Sequence, residues 1–288
     1  MSSDAEIRDV TDTAIWVAWY RAEETDRPDA MFRDPLARRL VGERGKKIAR
    51  QFGQAGRYTA WTLVTRTVII DEYIREGIAG SVDAVLNLGS GLDTRPYRME
   101  LPASLQWVEA DFPNIVEYMN QSLAAETPRC QLTRVAVDLT DPQARRRFLS
   151  EVLPEAKKVL VITEGVVPYL TEQQVADLAG DLKAQPRFAY WISEYFTAQA
   201  YRFIRAASRR RQMVNAPFQF LPVDWLGFFA QHGWVKQDIR FGSDVSIRFR
   251  RRPPMPWWAR FVIHFVSREK LRQGMRASGY QLLVPKAD

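Results

Sequence analysis

Residues 85–95 read VLNLGSGLDTR, a short apolar run followed by a Gly-x-Gly turn and by residues that suit the start of a helix. Glycines in such a turn lack the side chains that would keep a ligand away from the backbone. In an open parallel sheet, ligands bind outside the carboxyl ends of the strands, where the strand order reverses. The turn after the first strand usually lies at that point. A tight turn that binds nothing also fits, so other residues have to decide.

From Val82 onward, short apolar runs alternate with segments of helical period. Strands that are separated by helices imply right-handed crossovers and a parallel sheet with helices on both faces. The sequence therefore predicts an α/β, doubly wound fold. The predicted strands are Val82–Leu88, Leu105–Ala110, Leu132–Val137, Lys158–Thr163 and Phe188–Ser193, and the predicted helices between them cover residues 93–100, 113–124, 142–151 and 171–183.

The rest of the chain is predicted to surround this sheet. Apolar residues at helical spacing predict a helical N-terminal cap over residues 1–80, and residues 81–288 form the α/β domain. Because no Gly/Ser/Pro-rich linker separates the two, we expect one structural unit. Within 81–288, the predicted features are a helix over Glu194–Met213 in a lid at 194–220, a helix over Val223–His232, an insertion at 243–276, and terminal strands at Trp234–Phe241 and Gly279–Val284.

Composition excludes several classes of protein. The 288 residues are 46% hydrophobic and 26% charged, which is typical of a globular protein and not of a collagen, a coiled coil or a largely disordered chain. The polar start of the chain does not resemble a secretory signal, and no apolar run reaches the roughly 20 residues of a membrane span, so we expect a cytoplasmic protein. One cysteine, Cys130, excludes a multi-cysteine zinc site, and no metal is expected.

The net charge, 41 − 34 = +7, favours anionic partners without identifying one. Arginines form three short runs at residues 145–147, 209–211 and 250–252. We interpret these runs as solvated helix faces and loop rims. No nucleic-acid-binding motif accompanies them, so nucleic acid is not the expected partner, although docking of the Arg-rich insertion on nucleic acid or an anionic membrane stays an alternative.

Acidic residues follow the predicted strands. Asp111 ends the second strand, 111 − 89 = 22 residues after Gly89, where a carboxylate can accept hydrogen bonds from both hydroxyls of a ribose. Asp138 ends the third strand and Glu164 the fourth. Each could cap a helix. Because the carboxyl ends of parallel strands share one edge, the three together favour a nucleoside site.

The turn argues against a dinucleotide. That fingerprint needs a small residue three positions after the second glycine, and Thr94 stands there. Asp93 would also repel a pyrophosphate. S-adenosylmethionine, which carries a sulfonium, an ammonium and one carboxylate, tolerates acidic surroundings better than NAD or FAD do.

Four blocks carry a resemblance to a known family. They read NLGSGLDTRPYR at 87–98, EADFP at 109–113, VDL at 137–139 and TEGVVPYLT at 163–171. In this order they resemble the leucine carboxyl methyltransferase family, which includes bacterial polyketide O-methyltransferase-like members. The resemblance implies a class I methyltransferase sheet with five parallel strands, a helical N-terminal lid, an antiparallel C-terminal hairpin, and S-adenosylmethionine as cofactor.

The resemblance also implies the cofactor-binding residues. Arg66 would hold the methionine carboxylate, for which a forked guanidinium is well suited, unless it only pairs with Asp71 or Glu72 on its own helix. Arg95 and Arg98 are interpreted as structural partners of carboxylates near the turn. The other implied contacts are Gly89, Ser90 and Gly91 with the methionyl and ribosyl parts, Asp111 with the ribose, Asp138 and Leu139 with the adenine, and Glu164 with the amino acid moiety.

The implied activity is methyl transfer to an oxygen of a small acidic or aromatic metabolite. No catalytic residue is assigned, because His232 suits a helix cap and His264 suits packing or a lid. A nicotinamide-dependent oxidoreductase and a non-catalytic module that binds a cofactor or an anion stay as alternatives. The acceptor and the oligomeric state are left open.

Overall fold

The computed structural model describes residues 10–51, 53–198, 200, 218–254, 265 and 267–287. The predicted lid falls largely outside this part of the chain, as do His264 and the centre of the predicted insertion. The predicted domain limits stay a prediction. The chain divides into two compact units: Met1–Ile70 with Tyr195–Asn215 and Arg240–Tyr280, and Asp71–Glu194 with Ala216–Ile239 and Gln281–Asp288.

A seven-stranded sheet has the order β3-β2-β1-β4-β5-β7-β6. Its first five strands are parallel, with β1 between β2 and β4, so the strand order reverses at β1. The predicted α/β doubly wound fold is confirmed. The strands are β1 Ala84–Leu88, β2 Gln106–Asp111, β3 Gln131–Ala136, β4 Val159–Ile162, β5 Phe188–Phe196, β6 Trp234–Phe241 and β7 Ser278–Pro285.

The last two strands form the predicted antiparallel hairpin. The Lys286 N–H donates to Gly233 O at 2.8 Å near one end of the pair. Gly279 lies against the carbonyl of Arg240 near the other end. Since residue numbers rise along one strand as they fall along the other, β6 and β7 run in opposite directions.

The helices begin where the sequence provides caps and prolines. Asp141 accepts hydrogen bonds from the Gln143 and Ala144 N–H groups, and Thr171 forms a capping box with Gln174. The described α-helices are α1 Val10–Thr25, α2 Ala37–Gln51, α3 Gly53–Ala79, α4 Arg95–Arg98, α5 Pro113–Ser122, α6 Pro142–Glu151, α7 Glu172–Lys183, α8 Trp225–Gln231, α9 Gly242–Arg248 and α10 Arg268–Met275, with a 3₁₀ helix at Val167–Tyr169.

Two sequence predictions are corrected, and one helix is added. Residues 194–196 belong to β5 and not to a helix, because the Thr197 N–H donates to Ala277 O at 2.8 Å and so continues the pairing with β7. The helix predicted over 93–100 is a single turn, since Asp93 accepts the Arg95 N–H and holds the preceding residues in a turn. The predicted insertion contains α9, which the sequence analysis did not anticipate.

The Arg run at 145–147 is only partly a solvated face. Arg145 is buried, and it donates to Asp181 Oδ2 at 2.8 Å and to Leu139 O at 3.0 Å. Arg146 and Arg147 are exposed, as expected. In the other unit, Arg251 of the third run donates through two 2.6 Å hydrogen bonds to the buried Glu24. The interpretation of both runs as purely solvated was therefore wrong for the residues that find a buried carboxylate.

Tryptophans with satisfied N–H groups stabilise the core of the unit that contains β1. Trp191 Nε1 donates to Thr163 Oγ1 at 2.9 Å, and Trp234 Nε1 donates to Ala179 O at 2.9 Å. Their rings meet edge to face, with centroids 5.4 Å apart. The strands β1 and β4 are buried along their whole length. Within the described residues, no helix has the length and apolar character needed to cross a membrane.

Candidate functional site

The candidate site is built on the loops that follow β1, β2 and β4. The Gly89 N–H donates to Ala110 O at 2.7 Å, which extends the pairing of β1 with β2 into the turn. The Gly91 N–H donates to Asp111 Oδ2 at 2.7 Å. The structure therefore brings the glycine turn and Asp111 together at the carboxyl edge of the sheet, where β1 marks the reversal of strand order.

Backbone conformation explains why glycine stands at three positions of the site. Gly89, Gly91 and Gly165 all have positive φ, at 65°, 55° and 73°. A Cβ added to Gly89 would lie 2.4 Å from Val166 Cγ2. The turn after β1 and the loop after β4 are therefore in direct contact, and a side chain at Gly89 would push them apart.

Gly89→Ala is expected to lower the free energy of unfolding by about 2 kcal/mol, from the left-handed backbone and the clash with Val166. Urea denaturation followed by circular dichroism measures the change. Gly180→Ala is the matched control, because Gly180 lies inside α7 with no atom within 4 Å of an added Cβ. It should stabilise the chain by about 0.5–1 kcal/mol. Equal effects of the two variants would contradict this account of the turn.

Asp111 is a buried carboxylate with two backbone donors. Its side chain accepts from the Gly91 N–H and from the Phe112 N–H, each at 2.7 Å. Burial raises the pKa of Asp111, and the two N–H groups oppose that shift. The carboxylate is held in place by the backbone, and its assigned contact with a ribose stays a prediction.

A buried ion cluster joins the glycine turn to α3 and to the loop after β4. The Arg95 guanidinium donates to Asp71 Oδ1 at 2.7 Å, to Asp93 Oδ2 at 2.8 Å and to Glu164 Oε2 at 2.7 Å. Arg98 donates to the two oxygens of Asp71 at 2.6 and 2.8 Å. Arg95 and Arg98 therefore partner the carboxylates near the turn, as the sequence analysis interpreted them.

Charge stabilises this cluster in its ionised form. Burial raises the pKa of Asp71, but the Arg98 and Arg95 guanidiniums outweigh it and leave that pKa below its ordinary value. Burial lowers the pKa of Arg95, and the surrounding carboxylates raise it well above its ordinary value. The two guanidiniums therefore favour the ionised form of Asp71.

The other predicted residues lie in three places. Glu164 contacts Arg95, so its side chain ties the β4 loop to the turn. Asp138 is exposed after β3 and accepts from the Thr140 N–H and hydroxyl at 2.8 and 2.6 Å, while Leu139 is half-buried beside it. The Val137 N–H donates to Asp111 O at 2.9 Å, which places this segment next to Asp111. Arg66 lies on α3 in the unit that begins the chain, and its predicted role stays a prediction.

Two site residues were missed by the sequence analysis. Glu194, buried in β5, accepts the Gly165 N–H at 2.5 Å. Its signal was an acidic residue at a strand end, obscured because the strand was predicted to stop at Ser193. Asn87, buried in β1, donates to Asp93 Oδ2 at 2.8 Å. Its signal was a polar residue inside an apolar run.

No histidine is placed at these strand ends within the described residues. His232 follows α8 at its C-terminal cap and packs against Phe228, with ring centroids 4.6 Å apart and the ring planes tilted by 49°. Among the residues that the structure describes, no cluster of three His, Cys, Asp or Glu side chains could hold a metal ion.

Family membership follows from comparison with known proteins. The model of the family described as leucine carboxyl methyltransferase matches residues 14–182, which include the turn, Asp111 and Glu164. The chain belongs to this family. The leucine carboxyl methyltransferase match also spans α3 and Arg66, and it ends within α7.

Relatives of this methyltransferase family member agree with the assignment. A Mycobacteroides abscessus protein, named as a candidate S-adenosyl-L-methionine-dependent methyltransferase, is 33% identical over 63% of this chain and 65% of its own length. A Streptomyces avermitilis protein with the same description is 30% identical over 77% of this chain and 82% of its own length. A Thermobifida fusca crystal structure, described as a candidate methyltransferase, is 14% identical over 99% of this chain and 97% of its own, with a TM-score of 0.55, which supports the fold.

Proposed function

We propose that the chain is an S-adenosylmethionine-dependent O-methyltransferase that acts on a carboxylate or hydroxyl of a small acidic or aromatic metabolite. Family membership and the names of the relatives support methyl transfer from S-adenosylmethionine. The oxygen acceptor and its chemical class are what we add to this.

The observation that carries the proposal is the contact between the glycine turn and Asp111. The 2.7 Å hydrogen bond from Gly91 to Asp111 places a carboxylate beside a backbone with no side chain, at the reversal of strand order. A nucleoside can approach that backbone, and Asp111 can accept from both of its ribose hydroxyls. The residues present therefore fit an adenosine group.

Electrostatics favour a cationic methyl donor. S-adenosylmethionine supplies an electrophilic methyl group on a sulfonium when it is bound. Acidic side chains at this edge of the sheet, Asp93, Asp111 and Glu164, tolerate such a cation better than they tolerate a pyrophosphate. The chain's remaining task is to hold an oxygen nucleophile in line with the methyl carbon and to exclude water.

The absence of an assigned base favours an acidic acceptor. General-base help is worth about 10²–10⁴ in rate for a hydroxyl nucleophile, whereas a carboxylate is already ionised. His232 caps a helix, and His264 lies outside the described residues.

Calorimetric titration with S-adenosylhomocysteine and, separately, with NAD tests the cofactor. We expect a dissociation constant in the micromolar range for S-adenosylhomocysteine and no heat of binding for NAD. Binding of NAD with no response to S-adenosylhomocysteine would instead support an oxidoreductase.

The acceptor is tested with S-adenosylmethionine carrying a labelled methyl group and a panel of aromatic carboxylic acids and phenols. A methyl ester releases its label in mild base, whereas an aryl methyl ether keeps it. Label found only on nitrogen or carbon acceptors would contradict O-methylation.

Arg66→Ala is expected to weaken S-adenosylhomocysteine binding by one to two decades, about 1.5–3 kcal/mol, through the loss of a charge-assisted bond to the carboxylate. The far-ultraviolet circular dichroism spectrum should stay unchanged. Arg57→Ala is the control, because Arg57 is an exposed arginine on the same helix, α3. Unchanged affinity for Arg66→Ala would return Arg66 to a purely structural role.

A further inference from the structure

A polar row crosses three neighbouring strands beneath the glycine turn. Asn87 of β1 is in register with Glu109 of β2, which is in register with Arg134 of β3. Registered residues on adjacent strands point to the same face of a sheet. The three side chains therefore follow one another across that face, and neither Asn87 nor Glu109 is more than 1% exposed.

Two buried oxygen atoms in this row have no hydrogen-bond partner. Glu109 Oε2 accepts from Arg134 Nε at 2.7 Å, but Glu109 Oε1 has no partner. Asn87 Nδ2 donates to Asp93 Oδ2 at 2.8 Å, but Asn87 Oδ1 has no partner. A buried polar atom that lacks a hydrogen bond is costly and rare.

A proton shared between the two oxygen atoms would give both of them a hydrogen bond. A carboxylate and an amide oxygen are both acceptors, so they cannot bond to each other, whereas a protonated carboxyl group is a donor. The Asn87 amide cannot turn its nitrogen towards Glu109 without losing the bond to Asp93. Of these two groups, only the Glu109 carboxylate can take up a proton and become a donor.

We propose that Glu109 is protonated in the folded chain and donates to Asn87 Oδ1, which makes Glu109 a positioning residue for the glycine turn. Glu109 would act on the turn through two hydrogen-bonded groups, Asn87 and then Asp93. The oxygens of Asp93 also accept from the backbone N–H and the guanidinium of Arg95. In this proposal, loss of the proton removes the donor to Asn87 and weakens the hold of Asn87 on Asp93. This inference rests on the proposed function for its effect on cofactor binding.

Surrounding charges agree with a protonated Glu109. Burial raises the pKa of Glu109 to about 8, Arg134 opposes the shift, and Asp93 and Asp111 add to it. Arg134 does not direct all of its N–H groups to Glu109. Its Nη2 donates to the Tyr97 hydroxyl at 2.9 Å and its Nη1 donates to an amide oxygen of α5 at 3.1 Å. Another neighbour is the buried thiol of Cys130, whose pKa is raised to about 11 by burial and by Glu109.

Stability against pH tests the proton without any ligand. Between the ordinary pKa of 4.5 and the raised value of about 8, the folded chain holds a proton that the unfolded chain has released. The folding equilibrium constant should therefore fall by up to about tenfold per pH unit across this window. In Glu109→Gln, whose amide can donate to Asn87 and accept from Arg134, this contribution should vanish. The control Glu155→Gln, an exposed site before β4, should keep the wild-type slope.

Cofactor binding tests the positioning role. Wild-type affinity for S-adenosylhomocysteine should fall by up to about tenfold per pH unit above pH 8, and Glu109→Gln should keep its pH 7 affinity up to pH 9. A pH profile shared by wild type and Glu109→Gln would overturn the positioning role. If the wild-type chain binds no S-adenosylhomocysteine at any pH, the proposed function fails. The dependence of folding stability on pH would still show whether Glu109 is protonated.

If Glu109→Gln does not fold, the wild-type chain with ¹³C-labelled glutamate carboxyls provides the answer. We expect one buried glutamate signal that stays constant from pH 5 to pH 7 and moves near pH 8. Titration of every glutamate signal below pH 6 would overturn the proposal.

Discussion

Arg95→Met should lower the free energy of unfolding by about 3–5 kcal/mol, the largest effect we expect from one side chain. Arg95 is 1% exposed and contacts Asp71, Asp93 and Glu164. Methionine fills much of the volume but leaves buried carboxylates with less positive charge around them. Because a folded domain is stable by only about 5–15 kcal/mol, the loss is large.

Urea denaturation at pH 7 measures this effect, and Arg147→Met is its control. Arg147 is 81% exposed and pairs with Glu151 on the surface of α6, where a pair contributes at most about 1 kcal/mol. If the two variants lost similar stability, the buried ion cluster would contribute no more to stability than a surface ion pair does.

The same variant should change the acid limb of the stability curve. The pKa of Asp71 is lowered in the folded chain, so its contribution is present above the ordinary pKa near 3.8 and is lost as the pH falls through the lower value. Removing Arg95 takes away one of the two guanidiniums that lower this pKa. The wild-type chain should therefore lose more stability than the variant as the pH falls below about 4.

Asp111→Ala should weaken S-adenosylhomocysteine binding by two to three decades, about 3–4 kcal/mol. In the proposed contact, the ribose donates two charge-assisted hydrogen bonds to Asp111, each worth about 1.5–3 kcal/mol, and the substitution removes both. The expected loss is smaller than the sum of the two hydrogen bonds, because a water molecule can replace the carboxylate as acceptor for one ribose hydroxyl. Isothermal titration measures the change, and Asp177→Ala, a half-buried aspartate on α7, is the control.

A ligand without the ribose 2′-hydroxyl separates the ribose contact from a general loss of shape. The wild-type chain should bind this analogue of S-adenosylhomocysteine more weakly than the parent, and Asp111→Ala should bind both about equally. A full penalty for the analogue in the variant would show that Asp111 does not hold the ribose.

The sequence predicted the elements of the site better than their partners. The turn at 89–91 and the acidic residues at the strand ends are local features, so spacing and strand period identify them. Two of the three carboxylate partners of Arg95 lie 24 residues before it and 69 after it, and no local pattern links such positions. Asn87 and Glu109 are neighbours through strand register, which is fixed only when β1 and β2 pair.

By itself, the sequence determined the alternation of strands and helices, the glycine turn and the family, because apolar period, missing side chains and short motifs are properties of neighbouring residues. Tertiary structure decided that Glu194 belongs to β5, that Arg145 is buried against Asp181, and that Arg95 joins three segments. These outcomes depend on which distant groups share a buried space, where a charge must find a partner because water cannot reach it.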